Sequence, residues 1–188
     1  MRLFIAVNFS DETKAQILEV QGQLRSLSLR GSFTRLENLH LTLAFLGETP
    51  EEKLPALFQI LESGHPRAAG WPPPFEIIFN RTGCFTHSRK ELWWIGADRD
   101  APGLPLIETL HSQLLDRLSE AGFSVDIRPF SAHITLGREI KHTDPIILNC
   151  PDITVSVDRI SLMKSERVRG ILTYTELAFH RNLRYIRH

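Results

Sequence analysis

Residues 37–46 read ENLHLTLAFL and residues 130–138 read FSAHITLGR, so a His-x-Thr-Leu pattern occurs twice, each time inside a run otherwise suited to a buried strand. Along a strand, residues i and i+2 project to the same face. His40 and Thr42 therefore share one face, as do His133 and Thr135, while Leu41, Leu43, Ile134 and Leu136 point to the other. Each strand is half core and half polar pair. A single His-x-Thr in a strand is common by chance, usually a β-favouring threonine beside a half-buried histidine. Two copies at matching places in the chain change that balance.

The places do match. LFIAVN (3–8) reads as a strand, and Ser10 before Asp11 and Glu12 supplies a helix cap and an acidic first turn for a helix running to about Leu29. Gly31 ends it, and the first His-x-Thr strand follows. In the second half, Phe75–Phe79 and Glu91–Ala97 read as strands. A helical pattern through Leu104, Ile107, Leu110, Leu114 and Leu118 is broken by Gly122, and Phe130–Arg138 carries the second motif. Strand, helix and His-x-Thr strand recur in one order, the signature of a weak internal duplication. Thr49-Pro50-Glu51-Glu52 reads as a capping box opening a helix over about Pro50–Leu61. GHPRAAGWPPP (64–74) reads as an exposed crossing between the halves, and strands at about Ile153–Lys164 and Thr173–His180 complete the sheets. The expected fold is α+β: two pseudo-symmetric lobes, each an antiparallel sheet flanked by helices, forming one intertwined domain over residues 1–188 with a central cleft. Sheet-to-sheet packing about a pseudo-twofold would bring the two motifs together across that cleft.

Composition narrows the partners. Of 188 residues 42% are apolar, enough for a sizeable core, and 22 Lys and Arg balance 22 Asp and Glu. No overall basic field favours long nucleic acid, so a small or terminal anionic ligand bound by a local patch fits better. Cys84 and Cys150 lack zinc-type spacing and read as reduced thiols. The opening MRLFIAVNFSDE has too short an apolar run for a signal peptide, and no stretch approaches the roughly 20 apolar residues that span a bilayer. A cytoplasmic monomer without membrane contact is expected.

Two imidazoles facing one cleft can act as base and acid on one reaction, because both protonation states are populated near neutral pH. Two hydroxyls can hold nonbridging oxygens. That set suits in-line attack at phosphorus: one histidine takes a proton from water, the other protonates the departing alkoxide, and the threonines steady the negative oxygens. The residues do not say which histidine is which. The competing chemistry is zinc binding by two histidines and a carboxylate, but neither motif has Asp or Glu at a same-face position two residues away. Nothing resembles a P-loop, a GxGxxG turn or a nucleophile elbow.

With RLFIAVNF (2–9), ENLHLTLAFLGE (37–48), RPFSAHITLGR (128–138), ISLMKSE (160–166) and RGILTYTEL (169–177), nearly the whole chain resembles the 2H phosphoesterases, and within them the RNA 2′,3′-cyclic phosphodiesterases, also called the 2′-5′ RNA ligase family. Phe33 and Ala132 stand where that family often carries Trp and Pro. The resemblance implies a cofactor-free phosphodiesterase acting on RNA ends or small nucleotides that bear a 2′,3′-cyclic phosphate and leaving a 2′-phosphomonoester, with 2′-5′ ligation as the reverse sense of the same chemistry. It implies His40 as proton donor to the leaving oxygen, His133 as the group that activates water, and Thr42 and Thr135 as phosphate-holding hydroxyls. It also points to Arg138, whose guanidinium would fork onto phosphate oxygens. Arg138 lies five residues after His133, an odd offset that a regular strand turns away from the site. It serves there only if the strand bulges or twists after Leu136; otherwise it is a plain strand-end arginine. Phe45 has the same offset from His40. Core packing is its expected role, with base stacking as the functional alternative, and Phe130 carries the same ambiguity. Arg81, Arg89, Arg167 and Arg169 read as solvated loop charges or local rims for an oligonucleotide, and the remaining histidines, including His111, as surface residues. A noncatalytic module that binds RNA ends is the alternative function.

Overall fold

A computed structural model describes residues 1–62, 71–126 and 128–181 of the chain. Among the described residues ten strands and three α-helices follow in order: β1 (Arg2–Asn8), α1 (Asp11–Ser26), β2 (Arg30–Phe33), β3 (His40–Glu48), α2 (Leu54–Glu62), β4 (Phe75–Phe79), β5 (Arg81–His87), β6 (Lys90–Gly96), α3 (Leu104–Glu120), β7 (His133–Lys141), β8 (Ile153–Val157), β9 (Arg159–Val168) and β10 (Ile171–Arg181). The fold is α+β with antiparallel pairing, as the sequence pattern implies. Ser10 caps α1 as expected, its Oγ accepting from the Thr13 amide at 3.2 Å.

The two halves do not meet face to face. Their strands join edge to edge in one eight-stranded sheet of order β10-β9-β1-β3-β7-β6-β5, with β2 on the remaining edge of β7. A single residue pair, Leu41 with Ile134, links β3 to β7. Beyond it the strands diverge, so the seam between the halves is also the floor of the cleft. The pseudo-twofold is visible in the pairing: β1 holds β3 by Ala6–Thr42 and Asn8–His40, and β6 holds β7 by Trp94–Thr135 and Gly96–His133. The far ends of the motif strands therefore rest on equivalent partners. Leu41, Leu43, Ile134 and Leu136 are at most 3% exposed and pack with Ile17, Val20 and Leu24 of α1 and Ile107, Leu110 and Leu114 of α3 in one core. That apolar face is what holds the His/Thr face outward.

Three local expectations are corrected. Thr49 does not cap the second helix: its hydroxyl turns back to the Gly47 carbonyl, and a 3₁₀ turn at Glu51–Lys53 precedes α2. RTGCFTH (81–87) is not a loop but β5, paired along its length with β6. The first of the two expected C-terminal strands is two strands, since β8 leaves the main sheet to pair with β4, while β9 and β10 form the hairpin beside β1. Trp94 fills what the glycines of that half leave open: a Cβ at Gly83 would stand 2.2 Å from its ring and one at Gly96 2.7 Å, so only glycine lets the indole lie flat on the sheet. Residues 64–70 of the expected crossing lie outside the described residues. Trp71, beyond them, is buried with its indole N–H on the Leu61 carbonyl.

Candidate active site

The register at the seam arranges the two motifs in a square. With Leu41 opposite Ile134 in an antiparallel pair, His40 lies across from Thr135 and Thr42 across from His133. Each histidine thus faces the other motif's hydroxyl as well as its own. Two cavities open on either side of this square. One, about 250 Å³, is lined by His40 and Thr135 with Asn38, Arg35, Arg167 and Tyr174. The other, about 750 Å³, is lined by Thr42 and His133 with Phe45, Phe85, His111 and Phe130. Arg138 lines both.

Both imidazoles are anchored the same way. Nδ1 of His40 lies 2.7 Å from the Asn38 carbonyl, and Nδ1 of His133 lies 2.8 Å from the Ser131 carbonyl, two residues upstream in each case. A carbonyl can only accept, so Nδ1 carries the proton in both rings and Nε2 is left as the exchangeable position. Nε2 of His40 is 2.9 Å from Thr42 Oγ1. Nε2 of His133 has no hydrogen-bond partner among the described residues. Asn38 is itself buried, and its amide donates to the Leu172 carbonyl at 2.9 Å, which ties the anchor of His40 to β10. Aromatic rings flank each imidazole: Phe4 and Tyr174 at 4.9 and 5.3 Å between ring centres for His40, and Phe85 at 5.2 Å, edge-on, for His133.

These surroundings disfavour charge on both rings. The pKa of His40 is pushed down to about 4, first by burial and then by the positive fields of Arg138 and His133, against the opposing pull of the Asn38 carbonyl. That of His133 is also lowered, by burial first and Arg138 after it, with the Ser131 carbonyl opposing. The sign for stability follows. The unfolded chain protonates His40 near its ordinary value of 6.5, whereas the fold resists the proton until about 4. The unfolded state therefore binds more protons in that window, and stability present above pH 6.5 is lost as the pH falls towards 4, by up to about 3 kcal/mol. Thermal melts over this range should show a shallower acid slope for His40→Gln than for the wild type; parallel curves would contradict the assignment.

Arg138 reaches the site because β7 bulges. Its partners on β6 run Trp94–Thr135, Trp93–Gly137 and Leu92–Arg138, which leaves Leu136 unpaired and shifts the alternation by one residue. The bulge is held from the core: the buried Gln21 amide donates to the Leu136 carbonyl at 2.8 Å and to the Thr34 carbonyl at 2.7 Å, and the Thr34 amide also donates to Leu136. β3 repeats the feature, with Ala6–Thr42 followed by Ile5–Ala44 and Phe4–Phe45, so that Leu43 is the extra residue. Phe45 is the pseudo-symmetric counterpart of Arg138. It is 47% exposed at the cavity edge, which corrects the expected core role, and Arg2 lies over its ring. Phe130 packs partly against the core and stacks on His111 with ring centres 4.1 Å apart and planes 16° apart. His111 is thus part of a cavity wall rather than an isolated surface residue. Of the four rim arginines, Arg167 lines the cavity beside His40, while Arg81 pairs with Asp98. Sequence reasoning missed Asn38, Gln21, Phe85 and His111. Only Phe85 had a usable signal, the alternation of RTGCFTH; the others act through backbone carbonyls or distant contacts. Among the described residues no three His, Cys, Asp or Glu side chains converge as metal ligands, and no helix is long and apolar enough to cross a membrane.

Residues 9–169 match the model of the 2′-5′ RNA ligase superfamily. Relatives named RNA 2′,3′-cyclic phosphodiesterase include those of Thermotoga maritima, 32% identical over 88% of this chain and 87% of the relative, and Escherichia coli, 31% identical over 94% and 93%. Among solved structures, TT0787 of Thermus thermophilus superimposes with a TM-score of 0.79 at 29% identity, covering 96% of this chain and 97% of that one. Escherichia coli LigT complexed with 3′-AMP gives 0.77 at 28%, with the same coverage of both chains.

Proposed function

Because this chain belongs to the 2′-5′ RNA ligase superfamily, we propose that it opens a terminal 2′,3′-cyclic phosphate on RNA to a 2′-phosphomonoester by two-histidine acid/base catalysis. The observation that carries the reading is the pair of imidazoles on adjoining strands, each with Nδ1 committed to a carbonyl, with Arg138 lining the cavity beside each of them. His133, whose Nε2 is open, takes the proton from water. His40 protonates O3′ as the P–O3′ bond breaks, and Thr42, Thr135 and Arg138 hold the nonbridging oxygens. Both rings are neutral in the free protein near pH 7, so the acid must gain its proton on binding. An anionic phosphate set between the two rings opposes the field of Arg138 and supplies that shift. Thr42 fits the exchange: its hydroxyl donates to neutral Nε2 of His40, accepts from the protonated ring, and in the second state its own proton is free for a phosphate oxygen. Both histidines come from one chain, so a single domain of two intertwined halves suffices, as a monomer and without a metal.

The test is a short RNA ending in a 2′,3′-cyclic phosphate, incubated with the protein and EDTA. The expected product is the 2′-phosphomonoester. Opening that needs an added divalent metal would favour the zinc reading, and tight binding with no opening would favour the noncatalytic module.

A further inference from the structure

Resting on the phosphate-holding role proposed above for Arg138, we infer that Gln21 is a positioning residue of the reaction: from the core side of the sheet, its amide keeps β7 bulged so that the Arg138 guanidinium reaches the cavities of both histidines.

Gln21 interrupts the apolar stripe of α1. Ile17, Val20 and Leu24 around it are fully buried, and Gln21 itself is only 4% exposed. A buried amide costs stability unless its polar atoms are matched. Its nitrogen is matched twice, by the Thr34 carbonyl at 2.7 Å and by the Leu136 carbonyl at 2.8 Å. Two carbonyls also fix which end of the amide faces them, since only the nitrogen donates. Thr34 leads into the turn that carries Asn38 and then His40, and Leu136 is the residue extruded from the β6–β7 ladder. One side chain of the first half thus holds both the approach to the first motif and the bulge of the second.

The bulge decides where Arg138 goes. Side chains alternate along a strand, so a ladder without the extra residue would send Arg138 to the face opposite His133 and Thr135. The Leu136 carbonyl instead accepts from Gln21 and, at 2.9 Å, from the Thr34 backbone N–H. β2 closes on the same stretch: a Cβ at Gly137 would stand 3.3 Å from the Phe33 ring and 3.4 Å from the Ser32 carbonyl. Without the amide, the Leu136 carbonyl keeps one of these two donors and the Thr34 carbonyl loses its bond to Gln21. Carbonyls left short of partners favour a return to regular pairing, and Arg138 withdraws as the alternation is restored.

Withdrawal of Arg138 acts on both histidines. Its positive field lowers the pKa of His40 and of His133, second to burial among the lowering causes in each, and His133 adds its own field at His40. Both rings should therefore titrate higher once the guanidinium has moved away. Of the other charged groups along the two cavities, Arg167 lies on β9, His111 on α3, and Asp126 and Arg128 before β7, while Arg35 pairs with Glu37.

The experiment compares Gln21→Met, which keeps the volume and removes the donors, with Arg138→Ala and with the double variant. Histidine titrations followed by NMR should show His40 and His133 of Gln21→Met both moving up in pKa, the direction that Arg138→Ala gives. Binding of a nucleoside 2′-phosphate should fall by about ten-fold in Gln21→Met, the size of one hydrogen bond to a charged group. The same change made in Arg138→Ala should cost no more than about two-fold, because the group that Gln21 positions is already gone. Should Gln21→Met not fold, Gln21→Asn, whose amide stops one methylene short, should give the same pattern. Histidine titrations that stay at their wild-type values, or a loss of binding as large in Arg138→Ala as in the wild type, would overturn the role and leave Gln21 a support of the core. An Arg138→Ala variant that binds like the wild type would instead remove the phosphate role on which the inference rests. Wild-type protein that leaves the cyclic phosphate unopened would remove the reaction itself.

Discussion

His40→Ala and His133→Ala each lower the rate of opening of a 2′,3′-cyclic phosphate by about 10²- to 10⁴-fold, because each removes a positioned proton-transfer group. The double variant is expected to be little slower than the worse single variant, since acid and base act on one transition state and their losses do not add. Binding of an unreactive nucleotide end should persist in both single variants. Both rings stand neutral in the free protein, so truncation takes no charge from the empty site near pH 7, and His40→Ala forgoes only the attraction that ring gains by taking up a proton on binding. Single-turnover rates together with equilibrium binding of a nucleoside 2′-phosphate separate the two effects. A double variant as fast as the wild type would end the catalytic assignment and leave the end-binding module in its place.

Thr42→Ala and Thr135→Ala should each cost about 10²- to 10³-fold in rate, the usual loss for a donor aimed at a developing negative oxygen. Unlike the histidine variants, they should also weaken capture of the nucleoside 2′-phosphate. Thr→Ser at either position keeps the hydroxyl and should recover most of both losses. Thr42→Ala carries one added consequence, because it also takes away the partner of His40 Nε2. The ring is then held by the Asn38 carbonyl alone, whereas His133 in the Thr135 variant keeps the anchor it has now. Alanine variants that hydrolyse and bind like the wild type would show that the phosphate is held elsewhere.

Much of this site is legible along the chain. A period of two puts His40 with Thr42, and His133 with Thr135, on one face, and leaves four aliphatic side chains on the other; the core cluster contains all four. The recurrence of strand, helix and motif strand likewise foretells two related halves, and Ser10 with its acidic neighbours marks the start of α1. These are local properties, carried by residues within a few positions of one another.

The reach of Arg138 and Phe45 is of another kind. Counting by twos from His133 or His40 sends both to the wrong face, and each returns because one leucine is extruded from its ladder. In β7 the cause lies 115 positions away, where the Gln21 amide fastens the Leu136 carbonyl. The edge-to-edge join of the halves, the crossing of His40 to Thr135 and of Thr42 to His133, and the carbonyls that set both tautomers depend in the same way on which strand lies beside which. Residue order dictates which side chains share a face, because backbone geometry alternates them. Where that alternation slips, and what each face meets, follows from contacts between segments far apart in the chain, and those exist only once the sheet has closed.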